Sequence, residues 1–362
     1  MTKKSDITDK FFQLLRYAID EHKLAPQIDA DEWDTIFDMA KKQSILGVVF
    51  KAVQRMGQDV TIPRQLKMKW FFQVGQIKNR NMLFNQRSAE LFEMFRRDGF
   101  ECFVLKGQGN AMMYPNPYVR STGDIDLQVK SDRDKVVAYV KKRFSHTKIR
   151  YLHIDYKIFP DAPVEIHFTP TFMNNPLYNH RVQTWMKGQF EEQCQNMVEL
   201  PDGAGRIAVP TITFNIIYQL THLMRHFFDE GIGLRQFVDY YYLLRNAKDN
   251  MGMSLGDLEM LLRYLGMWKF AGAVMFVMRE VFALEDGLLI APVDERRGRT
   301  LLAEILKGGN FGKHSGLTDH STGGKYFAKI WRNLHFAREY PAEALCEPIF
   351  RTWHFFWRLK HS

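Results

Sequence analysis

Apolar positions over the first hundred residues recur at helical spacing. Phe11, Phe12, Leu15, Ala18 and Ile19 share one face of a helix capped by Thr8 or Asp9. Trp33, Ile36, Phe37 and Met39 make a second stripe, opened by Ala30-Asp31. A third runs through Ile45, Val48, Val49, Phe50 and Val53 and stops near Gly57. Pro63 is expected in the first turn of a long helix whose pattern runs from Gln65 to Arg97, and Gly99 is its expected C-terminal cap.

At Phe100 the period changes. FECFVLKG is short, apolar and β-rich, and Gly107 to Tyr114 has room for one or two helical turns. After the loop PNPYVRST, GDIDLQVK alternates as a strand, with Ile125, Leu127 and Val129 on one side. Ser131 or Asp132 caps a helix through Val136, Val137, Tyr139 and Val140. Lys148 to Phe159 predicts one long strand or two short ones, and PVEIHF a further alternating strand. Helical periodicity returns at about Pro176, is interrupted by a β-like interval from Val198 to Val209, and resumes. Thr213–Phe228, Arg235–Arg245, Leu255–Leu265 and Trp268–Leu284 are the strong later helices. The expected fold is α+β: a small mixed sheet at 99–205, with a helical region at 1–98 before it and a helical domain at 206–362 after it.

The 362 residues suggest two or three structural units, and 46% hydrophobic with 25% charged residues excludes a disordered chain. The longest apolar stretch, Phe270 to Met278, is about half of what a bilayer span requires. No apolar signal region opens the chain, and the three cysteines (Cys102, Cys194, Cys346) form no CxxC pair. A cytoplasmic protein is the expectation. A formal charge of +9 suits polyanionic partners such as nucleotides without selecting one.

The chemistry concentrates at Gly123-Asp124-Ile125-Asp126-Leu127. Residues two apart on a strand face the same way, so Asp124 and Asp126 project together while Ile125 and Leu127 enter the core. Two adjacent carboxylates repel unless a cation lies between them. Mg²⁺ accepts a few carboxylate oxygens and completes its shell with water and phosphate. Val164-Glu165-Ile166-His167-Phe168 repeats the alternation, with Glu165 and His167 on the polar side. If the two strands are neighbours, Glu165 joins the aspartates, and three carboxylates suffice for two metal ions. Gly123 permits a sharp turn before the pair.

VLKGQGNAMMYPNPYVRSTGDIDLQV (Val104 to Val129), VEIHF (Val164 to Phe168) and HLMRHFFDEGIGLRQFVDYYYLL (His222 to Leu244) resemble the DNA polymerase β-like nucleotidyltransferase superfamily, most closely its NTP_transf_5-type branch. The resemblance covers roughly residues 100 to 245. It implies transfer of a nucleoside monophosphate from an NTP, ATP among them, to an acceptor hydroxyl. It also implies two Mg²⁺ ions on Asp124, Asp126 and Glu165. Two departures from the wider superfamily stand out: Lys106-Gly107 occupies the place of the usual Gly-Ser, and the gap to Asp124 is long. Lys106-Gly107 still falls at a strand-to-helix junction that favours anions.

Around this centre, Arg120 is read as a triphosphate contact or as a loop-holding ion pair. Arg235 and Asp239, four apart, are read as a helix ion pair or as nucleotide-facing residues. With Gly123 and His167 they complete the candidate nucleotide-binding set. His222 and His226 share a helix face but lack a third zinc ligand. Tyr240, Tyr241 and Tyr242 read as core and rim. The tail IFRTWHFFWRLKHS reads as an amphipathic helix docked on the protein itself rather than on a membrane surface. The acceptor (small molecule, RNA or protein) and the oligomeric state carry no signal. Two other functions stay open: a toxin- or defence-type transferase acting on RNA or protein, and a non-catalytic nucleotide-binding scaffold for polysaccharide assembly.

Overall fold

The computed structural model describes residues 2–57, 60–229, 231–248, 250–309 and 331–361. Four helices lead: α1 (Thr2–Ile19), α2 (Trp33–Lys42), α3 (Leu46–Met56) and α4 (Arg64–Arg97). α1 starts ahead of the expected Thr8 cap. The mostly polar residues before Thr8 contain no helix breaker and carry no apolar spacing. Pro63 stands at the N-cap of α4 rather than within its first turn. Gly99 takes the expected positive φ, at 84°, beyond the helix end. Trp33, Phe37 and Trp70 are almost wholly buried between these helices, with Phe37 edge-on to Trp70 at 5.3 Å.

The sheet follows. β1 (Cys102–Val104) leads into the single turn of α5 (Gln108–Ala111). β2 (Ile125–Val129), α6 (Arg133–Arg143), β3 (His153–Asp155) and β4 (Val164–His167) complete it. The strand order is β1-β2-β4-β3, with β2 parallel to β4 and the outer pairs antiparallel. Of the expected 148–159 strand only His153–Asp155 belongs to the sheet, with a single bridge from Ile149 to Ile154. Two prolines, Pro160 and Pro163, flank the turn that follows and cannot donate to a ladder. Ile125, Leu127, Ile154 and Ile166 are buried on the apolar side of the sheet. Full burial of each aliphatic side chain contributes about 2–3 kcal/mol.

The rest is mainly helical: α7 (Pro176–Gly188), α8 (Phe190–Gln195), α9 (Ile212–Phe228), α10 (Leu234–Ala247), α11 (Leu255–Tyr264), α12 (Trp268–Phe282), α13 (Glu295–Gly308) and α14 (Pro341–His361). The β-like interval is a hairpin of β5 (Met197–Leu200) and β6 (Gly205–Ala208). α14 packs on the protein itself: Phe350 stacks on Phe172 at 4.6 Å, and Trp353 stands edge-on to Tyr151 at 5.5 Å. Among the described residues no helix is long and apolar enough to cross a membrane.

Candidate functional site

Strand register builds the polar face of the sheet. The parallel β2–β4 ladder sets Asp126 beside Glu165 and Gln128 beside His167, and β3 adds His153 opposite His167. Ladder partners point to the same face, so these side chains converge. Oxygens of Asp124, Asp126 and Glu165 lie within 4.8 Å of one another. Lys106 Nζ is 3.3 Å from Asp126 Oδ2. His167 Nε2 is 2.9 Å from Asp126 Oδ1 and 3.5 Å from Glu165 Oε2. Asp126 is only 1% exposed, whereas the Lys106 and Glu165 side chains keep 22% and 26%.

The charges respond to this crowding. The negative charge of Asp126, with burial second, raises the carboxyl of Asp124 above its ordinary range, while Lys106 and Arg235 oppose the rise. Burial would raise Asp126 too, but Lys106 and the hydrogen bond from His167 outweigh it and hold its carboxyl below the usual range. Burial alone would lower Lys106; Asp126 and Asp124 outweigh it and keep the ammonium charged. The same contest lifts His167 to about 9, burial losing to hydrogen bonds with Asp126 and Glu165.

The segment before β2 is clamped from α4 and α10. Asn81 Nδ2 donates to the carbonyls of Tyr118 (3.2 Å) and Arg120 (2.8 Å). Arg80 donates to Thr122 Oγ1 (3.0 Å) and to the Gly123 carbonyl (3.3 Å). Arg235 reaches the Ser121 carbonyl at 3.4 Å, and a Cβ added at Gly123 would meet its guanidinium at 3.6 Å. Gly107, at φ +60°, turns the chain from β1 into α5. This turn sets Lys106 beside the aspartates.

Arg120 takes the second of its two expected roles. Its guanidinium grips Asp239 with two bonds of 2.8 Å, and both residues are buried. Tyr114 Oη donates to the same carboxylate at 2.6 Å, and Asn110 Nδ2 approaches it at 3.3 Å. The charge of Asp239 is therefore taken first by Arg120, across the loop, and the expected i,i+4 partner Arg235 adds a weaker attraction. Asp239 and Arg120 form a buried tie beneath the loop, and Arg235 is the nearer of the α10 residues to Gly123.

A cavity of about 740 Å³ opens on the polar face. Lys106, Asp124, Glu165 and His167 line one end. Tyr218, His222 and Arg225, at one helical stripe of α9, line a second wall, and Phe350, Arg351 and His354 of α14 a third. The spacing of His222 and His226 marks them in the sequence, whereas Tyr218, Arg225 and His153 carry no such mark. Polar residues spaced i, i+4, i+7 on an otherwise apolar helix were the available signal for the α9 wall. The His222 and His226 Nε2 atoms lie 3.0 Å apart, and no third metal ligand joins them among the described residues. Tyr240, Tyr241 and Tyr242 are buried core residues.

The residues present fit a divalent cation of the kind that takes oxygen ligands. Three carboxylates converge, two of them in mutual repulsion, and Asp126 Oδ2 is buried without a hydrogen-bond donor. That atom has one cationic neighbour, Lys106. A bound dication would compensate it as well.

Fold and site together define an α+β protein with a nucleotidyltransferase-like core. The family model described as "Uncharacterised nucleotidyltransferase" matches residues 29–283, and the chain belongs to that family. It is also similar to the crystal structure of an antigenic nucleotidyltransferase-like protein from Paracoccidioides brasiliensis. The two are 13% identical with a TM-score of 0.37, over 59% of this chain and 96% of that one. No curated protein matches the chain.

Proposed function

We propose that the protein is a Mg²⁺-dependent nucleotidyltransferase that moves a nucleoside monophosphate from an NTP, ATP among them, to an acceptor hydroxyl. The observation that carries this reading is the convergence of Asp124, Asp126 and Glu165 beside Lys106, with Lys106, Asp124 and Glu165 on the wall of a cavity of about 740 Å³. Ligand sites typically fall within about 300–1,000 Å³. Two Mg²⁺ ions held by the three carboxylates would supply charge neutralisation for the triphosphate and acidity for the attacking hydroxyl.

The chain's own groups have separable tasks. Lys106 keeps its positive charge in this acidic setting and donates to a phosphate oxygen of the donor. Glu165, partly exposed on the cavity wall, receives the acceptor's proton. The acceptor oxygen bonds to the α-phosphorus, the bond to the bridging oxygen breaks, and pyrophosphate leaves with the electron pair. His167, hydrogen-bonded to Asp126, fixes the orientation of that carboxylate. Gly107 and Gly123 shape the turns that set Lys106 and Asp124, while Arg235 holds the loop and faces the nucleotide side. Arg120 and Asp239 serve the site from beneath. The three unpaired cysteines are compatible with a reducing compartment, and we place the enzyme in the cytoplasm on that ground.

The test is calorimetric titration of each NTP with and without Mg²⁺, on the wild type and on the Asp124→Asn, Asp126→Asn double variant. Mg²⁺-dependent binding that the double variant loses supports the reading and identifies the donor. Binding of equal strength in the folded double variant would sink it and favour a nucleotide-binding scaffold.

A further inference from the structure

The three-carboxylate set accounts for Asp124, Asp126 and Glu165, and gives His167 a hydrogen bond to Asp126, but leaves His153 on the same face without a role. We propose that His153, Glu165 and His167 form a site for a borderline transition-metal dication such as Zn²⁺. It shares Glu165 with the carboxylate set and differs from that set in ligand chemistry.

Two strands build it. β3 and β4 are antiparallel with His153 opposite His167, and Glu165 lies two residues before His167 on the same face. His153 Nδ1 is 3.1 Å from Glu165 Oε2, and His167 Nε2 is 3.5 Å from the same oxygen. Ligands bonded to a small dication at about 2.0–2.1 Å sit roughly 3.0–3.4 Å apart across the edges of an octahedron or tetrahedron. One ligand atom from each of the three side chains lies within 4.8 Å of the others.

The second ring nitrogens have the arrangement expected of metal-bound histidines, whose other N–H is held by a carbonyl or a carboxylate. His167 Nδ1 is 3.3 Å from the Thr169 carbonyl. His153 Nε2 is 3.5 Å from Asp155 Oδ1. Both ring nitrogens of His167 face acceptors, the Thr169 carbonyl at Nδ1 and the carboxylates at Nε2, and a dication on Nε2 would take the place of the proton there. His153 adds an independent sign: both of its ring nitrogens are buried, and Nδ1, the one turned to Glu165, makes no hydrogen bond among the described residues. Its 3.1 Å approach to Glu165 is therefore close without being a hydrogen bond, as expected of two ligands aimed at a common point. Imidazole nitrogen discriminates against Mg²⁺ and favours zinc and its neighbours. The cavity gives an ion a route to the site, since His153, Glu165 and His167 all line it.

Co²⁺ is the probe, because histidine-bound Co²⁺ absorbs in the visible and no nucleotide is needed. The full-length chain is titrated with Co²⁺ and separately with Mg²⁺. Co²⁺ is expected to bind at least tenfold more tightly than Mg²⁺. His153→Ala should weaken Co²⁺ at least tenfold while changing Mg²⁺ affinity less than twofold. Asp124→Asn should do the converse, losing Mg²⁺-nucleotide binding and keeping Co²⁺, which separates this site from the transferase reading. If His153→Ala does not fold, His153→Gln replaces it, with folding checked by circular dichroism. Equal Co²⁺ affinity in wild type and a folded His153 variant overturns the proposal. So does loss of the Co²⁺ spectrum on His222→Gln alone, which would assign the ion to the α9 histidine pair.

Discussion

Arg120 and Asp239, 119 residues apart, close on each other with two 2.8 Å bonds beneath the loop that carries the aspartate pair. Both are buried, so the pair's Coulombic gain is set against a large desolvation cost. Breaking it from one side is the damaging event, because the remaining charge then has no compensation. Asp239→Ala is expected to lower stability by about 3–5 kcal/mol. The paired change Arg120→Met, Asp239→Leu removes both charges and should cost less than the single substitution, although Tyr114 Oη then loses its acceptor. Urea denaturation of both variants checks the ordering. A single variant within about 1 kcal/mol of wild type would contradict it.

Lys106 and the carboxylates make opposite demands on a cation. Its ammonium sits 3.3 Å from Asp126 and competes electrostatically with any metal held there. Under the proposed function the same ammonium grips the donor's phosphates. Lys106→Met should therefore split two affinities. Mg²⁺ alone should bind as well as to wild type or up to about tenfold more tightly, and Mg²⁺-ATP at least tenfold more weakly, about 1.4 kcal/mol. Calorimetry with the metal and with the metal-nucleotide reads both. A parallel fall of the two would return Lys106 to a purely structural role.

Part of this site is written in local pattern and part is not. Asp126 and Glu165 sit in strands with clean period-2 alternation and Asp124 stands just before β2 in the same alternation, so their common face follows from the sequence once β2 and β4 are neighbours. That adjacency, and the Asp126–Glu165 register, come only from the folded sheet. His153 escaped notice because most of the run from Lys148 to Phe159 is not strand and alternates poorly. The partner of Asp239 is on a distant loop, so helical spacing pointed to Arg235 instead. α14 was legible as an amphipathic helix, yet its inner residues Phe350, Arg351 and His354 line the cavity only because Tyr151 and Phe172 receive it. Helix bounds were the most legible feature: α3, α9, α10, α11 and α12 start and stop within two residues of the apolar pattern.

Gly47 and Gly75 separate helix propensity from steric fit. Both lie inside helices, where replacing Gly by Ala gains about 1 kcal/mol in propensity. An added Cβ at Gly75 meets nothing within 4 Å, so Gly75→Ala should stabilise by about 0.5–1 kcal/mol. At Gly47 the same atom would lie 2.3 Å from the Val119 carbonyl oxygen. That oxygen is backbone and cannot rotate aside. Overpacking of this kind costs about 1–3 kcal/mol or more and exceeds the propensity gain. Gly47→Ala should therefore destabilise, and it should weaken nucleotide binding too, since Val119 adjoins Arg120 on the site loop. Thermal unfolding of the two variants should shift in opposite directions; shifts of the same sign would refute the steric argument.

Glu343 makes stability depend on pH through the seat of α14 on the 174–175 turn. It lies in the first turn of α14, 3% exposed, and accepts backbone N–H groups from Asn174 (2.8 Å) and Asn175 (3.2 Å). Burial raises its carboxyl from 4.5 to about 7, against the pull of those two donors. The folded chain therefore holds the proton more tightly than the unfolded chain. The resulting stability is fully present below pH 4.5 and is lost as pH rises through about 7. A shift of this size corresponds to about 3 kcal/mol. Glu343→Gln keeps an acceptor for the backbone and cannot ionise. It should match wild type below the lower limit and exceed it in stability above the upper one, by up to about 3 kcal/mol. The urea midpoint of both proteins across that range isolates Glu343, because every other titrating group is common to the pair. Parallel profiles would mean that the carboxylate of Glu343 is not desolvated, and that the seat of α14 on the 174–175 turn is wetter than its burial implies.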